Sequence, residues 1–159
     1  TEGNDGKKRK HSGFLRDLAS VARGNPGVAL AIWRRALRDR PEEEAGTEES
    51  GPGSSDGGSV TRAWVIPFDQ LGLPAVPQSQ GDNIGLLLHA LLLHDGLDAS
   101  HLQLVTGVAE HEAGFVLARL ARADLIEQQS SGGRWQVTAQ GYPSIRRHLQ
   151  SWGFPVDTF

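Results

Sequence analysis

One segment of this chain, residues 84–93, restricts the possible folds more than any other. Its sequence is IGLLLHALLL, which is apolar on nearly every side of a helix and is typical of a helix buried at the centre of a domain. Asp82 and Asn83 precede it and are residue types that cap a first helical turn. A membrane span needs ~20 apolar residues. This run is shorter and is interrupted by His89, so it predicts a core helix.

Two more helices are predicted after Gly96. Asp98 or Ser100 caps the first, which ends at Gly107 after about two turns. The second extends from about Ala109 to Ala123, with apolar residues at helical spacing. The apolar face of the short helix is expected to comprise Leu102, Leu104 and Val105, and that of the longer helix Ala113, Val116, Leu117, Leu120 and Ala121.

A β-hairpin and a last helix complete this pattern. Residues 125–129 and 134–138 predict two strands, and Ser130–Gly133 predicts the turn between them. The last helix begins near residues 140–143. We expect Ile145, Leu149 and Trp152 to face inward and Arg146 and Arg147 to face outward.

The predicted fold class is therefore mainly α with a small β-hairpin. Residues 80–152 resemble the winged helix-turn-helix superfamily, including the marR-like regulators, most clearly in ARLARADLIEQ and the following GGRWQVTAQGYPSIRRHL. The resemblance implies that the hairpin is the wing. It does not assign a function, because this fold serves DNA readers, RNA readers and protein-binding modules alike.

The charge distribution disfavours DNA as a ligand. Residues 60–159 contain six arginines, nine carboxylates and no lysine, whereas residues 1–59 balance ten basic against ten acidic groups. DNA-binding domains usually carry a basic excess. In the DNA-binding form the third helix enters the major groove, and here its first residues would be Glu110, His111 and Glu112.

The outward face of this third helix is the predicted interaction surface. Phe115 lies at its centre, and three readings remain open. The chain's own strand near Trp64 covers Phe115 and the arginines are solvated, a protein partner binds there, or the arginines contact DNA or RNA. The predicted surface residues are His111, Phe115, Arg119, Arg122 and, from the wing, Arg134.

Residues 13–39 predict a pair of shorter helices upstream. Asn25 caps the second and Pro26 occupies its first position, where a missing N–H costs nothing. Helices of this size cannot bury their apolar faces alone, so the pair must pack on something else. The predicted apolar stripes are Phe14, Leu15, Leu18 and Val21 on the first helix, and Leu30, Ile32, Trp33 and Leu37 on the second.

The turn between these helices resembles the lid motif of AAA+ and signal-transducing (STAND-type) P-loop ATPases. The matching residues are GNPGVAL within ASVARGNPGVALAIWRRAL. The resemblance implies that Gly24, Asn25 and Pro26 would lie near the adenine of ATP or ADP in a full-length parent, and that a winged helix follows the lid. Gly27 stands where AAA+ lids often have a sensor arginine, which favours the signal-transducing type.

The remaining segments are predicted to be flexible or extended. Residues 1–12, with a basic run at Lys7–Lys10, form a disordered tail, and residues 40–59 form a disordered acidic linker rich in glycine and serine. Within the linker, Gly53–Gly57 matches a G-x-S-x-G nucleophile elbow but lacks the strand and helix this motif requires. Val60–Pro67 predicts a strand that opens a winged-helix domain at residues 60–159.

No catalytic site is predicted. The chain has no cysteine and no G-x-x-x-x-G-K-[ST] phosphate loop. His111 and Glu112 begin an H-E-x-x-H pattern, but Phe115 replaces its second histidine, so we expect neither metal nor cofactor in this chain. Asp95 and Asp98 are interpreted as helix caps.

The sequence thus favours a non-catalytic, C-terminal regulatory or interaction module of a larger P-loop ATPase, in contact with the ATPase core or another protein. The alternative is a DNA-binding transcriptional regulator. No methionine occurs even at position 1, so we expect an excised piece of a longer protein. The polar N-terminus lacks a signal-peptide core, and we expect a cytoplasmic protein that does not insert into membranes.

Overall fold

The computed structural model describes residues 5–38, 64–77, 83–130 and 133–156, and of residues 5–12 and 38 the backbone alone. The predicted linker 40–59 lies outside these ranges. The described chain is mainly helical, with two antiparallel sheets of two strands each. The helices are α1 (Asp5–Ala22), α2 (Pro26–Ala36), α3 (Asn83–Leu93), α4 (Ala99–Thr106), α5 (Glu110–Arg122) and α6 (Tyr142–Ser151). The strands are β1 (Leu37–Arg38), β2 (Trp64–Val65), β3 (Ile126–Gln128) and β4 (Trp135–Val137), and a 3-10 turn spans Phe68–Gln70.

Helices α1 and α2, here called the helical pair, are joined by a turn in which the predicted cap of α2 forms. Asn25 caps α2, its side chain accepting a hydrogen bond from the backbone N–H of Val28 at 3.1 Å, and Pro26 follows at the first position. The pair has an apolar core of its own. The buried members of this core are Leu18, Ala22, Val28, Ile32, Ala36 and Leu71.

The segment that follows the predicted linker covers the apolar face of the helical pair. β2 pairs with β1, with Leu37 opposite Val65. Phe68 and Trp33 both lie against the ring of Phe14, at centroid distances of 5.8 and 5.6 Å. Residues 64–73 thus complete the core of the helical pair.

Two predicted boundaries therefore shift. The sequence predicts a single winged-helix domain from residue 60, whereas residues 64–73 pack with the helical pair and bury its apolar face. The sequence also predicts a disordered tail over residues 1–12, whereas α1 extends back to Asp5. Lysine and arginine are good helix formers, which allows the helix to continue beyond its apolar stripe.

Residues 83–156, here called the C-terminal unit, surround α3. The predicted central position of α3 is confirmed, since it contacts α4, α5, α6 and β4 and buries most of its residues. Of the stripe predicted on α5, Ala113, Leu117 and Leu120 are buried and Val116 and Ala121 are half-buried. The largest fully buried side chains of this unit are Leu87, Leu88, Leu91, Leu102, Leu117, Leu120, Leu125, Ile126, Ile145 and Leu149.

Local residue chemistry sets the order of elements in this unit. Asp98, one of the two predicted caps, caps α4, and Gly107 ends it at φ 72°, a left-handed conformation that glycine adopts without strain. β3 and β4 form the predicted hairpin, with Ile126 opposite Val137. Leu97, between α3 and α4, forms a bridge with Trp135, which attaches the hairpin to the helices.

Several predicted orientations are wrong, since Leu15, Leu30, Leu37 and Trp152 were expected on the apolar sides of their helices and are exposed. On α4, Leu104 is 81% exposed and Val105 is exposed as well. Leu104 lies two residues after the buried Leu102, which is about 200° around a helix of 3.6 residues per turn. A helix as short as α4 offers a single side to the core, so its other apolar residues remain outside.

Candidate functional site

The outward face of α5 combines an exposed aromatic ring with a separation of charge. Phe115 is 78% exposed. Glu110 and Glu112 lie in the first turn, and Arg119 and Arg122 lie in the last. This arrangement suits the helix dipole, which favours carboxylates at the N-terminus and cations at the C-terminus. The exposed surface of α5 is therefore acidic in the first turn and basic in the last turn, with Phe115 between them.

The reading in which the strand near Trp64 covers Phe115 is wrong. Trp64 belongs to β2, which pairs with β1 beside the helical pair. Phe115 is left in solvent by the described part of the chain. His111 is also exposed on α5, so the structure places four of the five predicted surface residues on one helix.

Arg134, the fifth predicted residue, lies away from α5 and connects the hairpin to the turn between α3 and α4. It lies just before β4, and its Nη2 donates a hydrogen bond to the carbonyl of Gly96 at 2.7 Å. Gly96 has φ 101°, and a Cβ there would lie 2.9 Å from the carbonyl oxygen of Trp135. Glycine thus allows the hairpin to approach the α3–α4 turn closely, and Arg134 fixes that approach.

A second candidate site lies where the helical pair meets the C-terminal unit. Arg35 of α2 donates from Nε to the carbonyl of Leu71 at 3.2 Å and from Nη2 to that of Gly72 at 3.0 Å. Its Nη1 donates to Oε1 of Gln140 at 2.6 Å. Ser144 on α6 also donates to the carbonyl of Pro74. One guanidinium group thus joins α2, the covering segment and the start of α6.

The predicted adenine-proximal turn lines a cleft at this junction. Gly24, Asn25 and Pro26 border a space of about 550 Å³, together with Tyr142 and Arg146 from α6. Arg23, on the same border, has φ 47°, a conformation that is uncommon for a residue with a side chain. The structure therefore brings the lid-like turn against two residues that the sequence did not assign to it.

Arg146 corrects the sequence prediction most clearly. It was expected to face outward, yet it is 6% exposed. It is placed four residues after Tyr142, as Leu149 is after Ile145, so the two pairs lie on neighbouring sides of α6. The spacing of four residues from Tyr142 was the feature of the sequence that could have indicated the burial of Arg146. Burial of Arg146 depends on distant segments that approach α6, which helical periodicity does not report.

Tyr142 and Arg146 also border a neighbouring cleft of about 460 Å³. Its other walls come from the end of α3 and from residues 155 and 156. The chain after α6 turns back here, so that Phe154 lies beside His89 at a centroid distance of 5.2 Å. Gly85 permits this packing, because a Cβ there would lie 2.7 Å from the Phe154 ring.

Asp98 caps α4 through a cluster of hydrogen bonds to its carboxylate. The carboxylate of Asp98 accepts from the backbone N–H of His101 at 2.9 Å, from Ser100 Oγ at 2.7 Å and from His101 Nδ1 at 2.8 Å. The backbone N–H of His101, followed by these side-chain donors, holds the pKa of Asp98 well below its usual range. Burial lowers the pKa of His148.

Among the described residues, no three histidine or acidic side chains lie together as metal ligands would. Nor does any helix in the described ranges combine the length and apolar character that crossing a membrane requires. Comparisons with family models, with curated proteins and with solved structures found no match to this chain.

Proposed function

We propose that this chain is a non-catalytic regulatory module in which a winged helix binds a protein partner through the outward face of α5. The observation that carries the proposal is the exposure of Phe115 between an acidic first turn and a basic last turn. Aromatic residues and arginine are enriched at protein interfaces.

The order of elements supports the winged-helix assignment. Three helices, α3 to α5, precede an antiparallel hairpin, and Leu97 bridges to Trp135 so that the hairpin is anchored beside the helices. This is the arrangement that the sequence resemblance implies, with β3 and β4 as the wing.

The contacts of α2 support a link to nucleotide state in a larger P-loop ATPase. The turn at Gly24–Pro26, which resembles an ATPase lid, borders the same cleft as Tyr142 and Arg146. A change at this turn would be transmitted to α6 through the Arg35–Gln140 hydrogen bond. The winged helix would then present or withdraw Phe115 as the lid moves.

Site-specific photo-cross-linking tests the protein partner. A photoreactive phenylalanine analogue at position 115 should form an adduct with one protein, whereas the same analogue at Leu30, an exposed residue on α2, should not. With that partner purified, Phe115→Asp should abolish binding and Arg122→Glu should weaken it, and Leu30→Asp should leave the affinity unchanged. Equal loss in Leu30→Asp would contradict the assigned surface.

DNA is the second candidate, favoured by the exposed Arg119 and Arg122. A fluorescent duplex titrated at increasing salt concentration distinguishes the two functions. Binding through arginines to phosphates weakens steeply as salt rises, and Glu112→Gln should then strengthen it. We expect no such binding, because the carboxylates of the first turn would face the phosphates.

A further inference from the structure

We propose that the cleft between α3, α6 and residues 154–156 binds a small carboxylate that carries an apolar chain. This site is separate from the α5 surface, and it shares Tyr142 and Arg146 with the cleft at the lid-like turn. Its volume, about 460 Å³, falls within the roughly 300–1,000 Å³ of small-molecule sites. Its walls have the usual character of such sites, with apolar side chains around few polar groups.

The anion would lie at Arg146. The guanidinium is always charged, and its planar donors match a carboxylate. Arg146 is buried and lines the cleft, where a charge-assisted hydrogen bond is stronger than in water. It also interacts within the chain, so the ligand would share its five N–H donors. The hydroxyl of Tyr142, on the same wall, is a second donor.

His89 shapes the cleft but does not hold the charge. Its Nε2 lies 3.0 Å from the carbonyl oxygen of Pro155. A carbonyl oxygen can only accept, so Nε2 donates, and in the neutral ring Nδ1 is left as an acceptor. The charged donor that lines the cleft is Arg146, so the carboxylate would lie against it.

The apolar chain would cover the end of α3. Leu93 is 67% exposed, and Leu92 and Val156 line the same cleft. Covering these side chains removes apolar surface from water. Each added methylene that enters the cleft should therefore tighten binding about four-fold.

The chain after α6 forms one wall of the site. Phe154 lies against Gly85, where a Cβ would be 2.7 Å from its ring, and this contact holds residues 155 and 156 over the end of α3. Gly85→Ala should displace Phe154 and weaken ligand binding. Since alanine favours helix over glycine, α3 itself should remain folded.

Calorimetric titration of the whole chain with octanoate tests the proposal, with octanamide and acetate as matched ligands. Octanoate should bind at least about ten-fold more tightly than octanamide, since the amide lacks the charge that Arg146 recognises. Acetate should bind far more weakly than octanoate because it lacks the chain. Equal affinity for octanoate and octanamide, or no heat with millimolar octanoate, would overturn the proposal.

Substitutions at exposed positions locate the site without unfolding the chain. Leu93→Asp places a negative charge beside the ligand and should lower octanoate affinity at least about ten-fold. Leu104→Asp is the matched control, since Leu104 is an exposed leucine on α4. Equal losses in the two variants would show that octanoate binds non-specifically, and the site would be wrongly placed.

Discussion

Arg35 and Gln140 join the helical pair to the C-terminal unit, with Nη1 of Arg35 donating to Oε1 of Gln140 at 2.6 Å. The same guanidinium donates to the carbonyls of Leu71 and Gly72. Only a planar group with several donors can reach all three acceptors at once. Arg35 therefore helps to fix α2 relative to α6, together with the Ser144–Pro74 hydrogen bond and the packing of Tyr142 on the core of the helical pair.

Replacement of Arg35 should loosen this junction. Hydrogen bonds to a charged group contribute about 1.5–3 kcal/mol, so Arg35→Ala should lower the free energy of unfolding by about 2 kcal/mol in a denaturant titration. Arg35→Lys should recover little of this, because an ammonium group lacks the fork. Arg34→Lys, at an exposed neighbour, is the control. A double-mutant cycle with Gln140→Ala should give a non-zero coupling energy.

Two glycines should respond to alanine in opposite directions. A Cβ at Gly141 would lie 2.6 Å from the carbonyl oxygen and 2.7 Å from the Cα of Leu125. Backbone atoms cannot move aside easily, so Gly141→Ala should destabilise the chain by about 3 kcal/mol. Gly114 lies in α5, and outside the backbone of its own helix no atom lies within 4 Å of the position that a Cβ would occupy. Gly114→Ala should therefore stabilise the chain by about 0.5–1 kcal/mol. Thermal or denaturant unfolding measures both, and a stable Gly141→Ala variant would contradict the close approach of Gly141 to Leu125.

Phe115 and Leu117 separate binding from folding on one helix. Phe115 is exposed, so Phe115→Ala should change the free energy of unfolding by no more than about 0.5 kcal/mol. Leu117 is fully buried, and Leu117→Ala should cost about 2–5 kcal/mol. Denaturant titrations of the two variants give the comparison. If Phe115→Ala proved as destabilising as Leu117→Ala, Phe115 would belong to the core.

The parts of this fold that could be predicted are those in which a pattern of apolar residues repeats over several helical turns. α5 contains enough turns for its apolar spacing to identify the buried side, and of its predicted stripe Ala113, Leu117 and Leu120 are buried and Val116 and Ala121 are half-buried. α3 was recognisable as a central helix because it is apolar on nearly every side. α4 has eight residues and repeats its pattern too few times to distinguish Leu102 from Leu104. The hairpin followed from the turn residues between two short alternating segments.

Contacts between distant segments explain the rest. The sequence identified the turn at Asn25 and Pro26 from local cap chemistry, but its neighbours Tyr142 and Arg146 come from the last helix. Nothing in the spacing of either segment encodes that meeting. Arg146 is buried where other segments of the chain pack against α6. Arg35 joins α2 to the C-terminal unit because Gln140 lies within hydrogen-bonding distance of it.

The cap of α4 should make stability depend on acid in a predictable direction. Hydrogen bonds to its charged form lower the pKa of Asp98 in the folded state. The unfolded chain therefore takes up this proton more readily than the folded chain as the pH falls. The stabilisation is fully present above the ordinary pKa of 3.8 and is lost progressively as the pH falls below it toward the folded pKa. In Asp98→Asn the amide oxygen still accepts from the His101 N–H, but the charge is absent. Wild type should melt at a higher temperature than Asp98→Asn at neutral pH, and the gap should narrow below pH 3.8. Asp95→Asn, at an exposed neighbour, controls for the loss of one negative charge. A gap that stays constant down to strongly acidic pH would show that the carboxylate of Asp98 does not stabilise α4 through its charge.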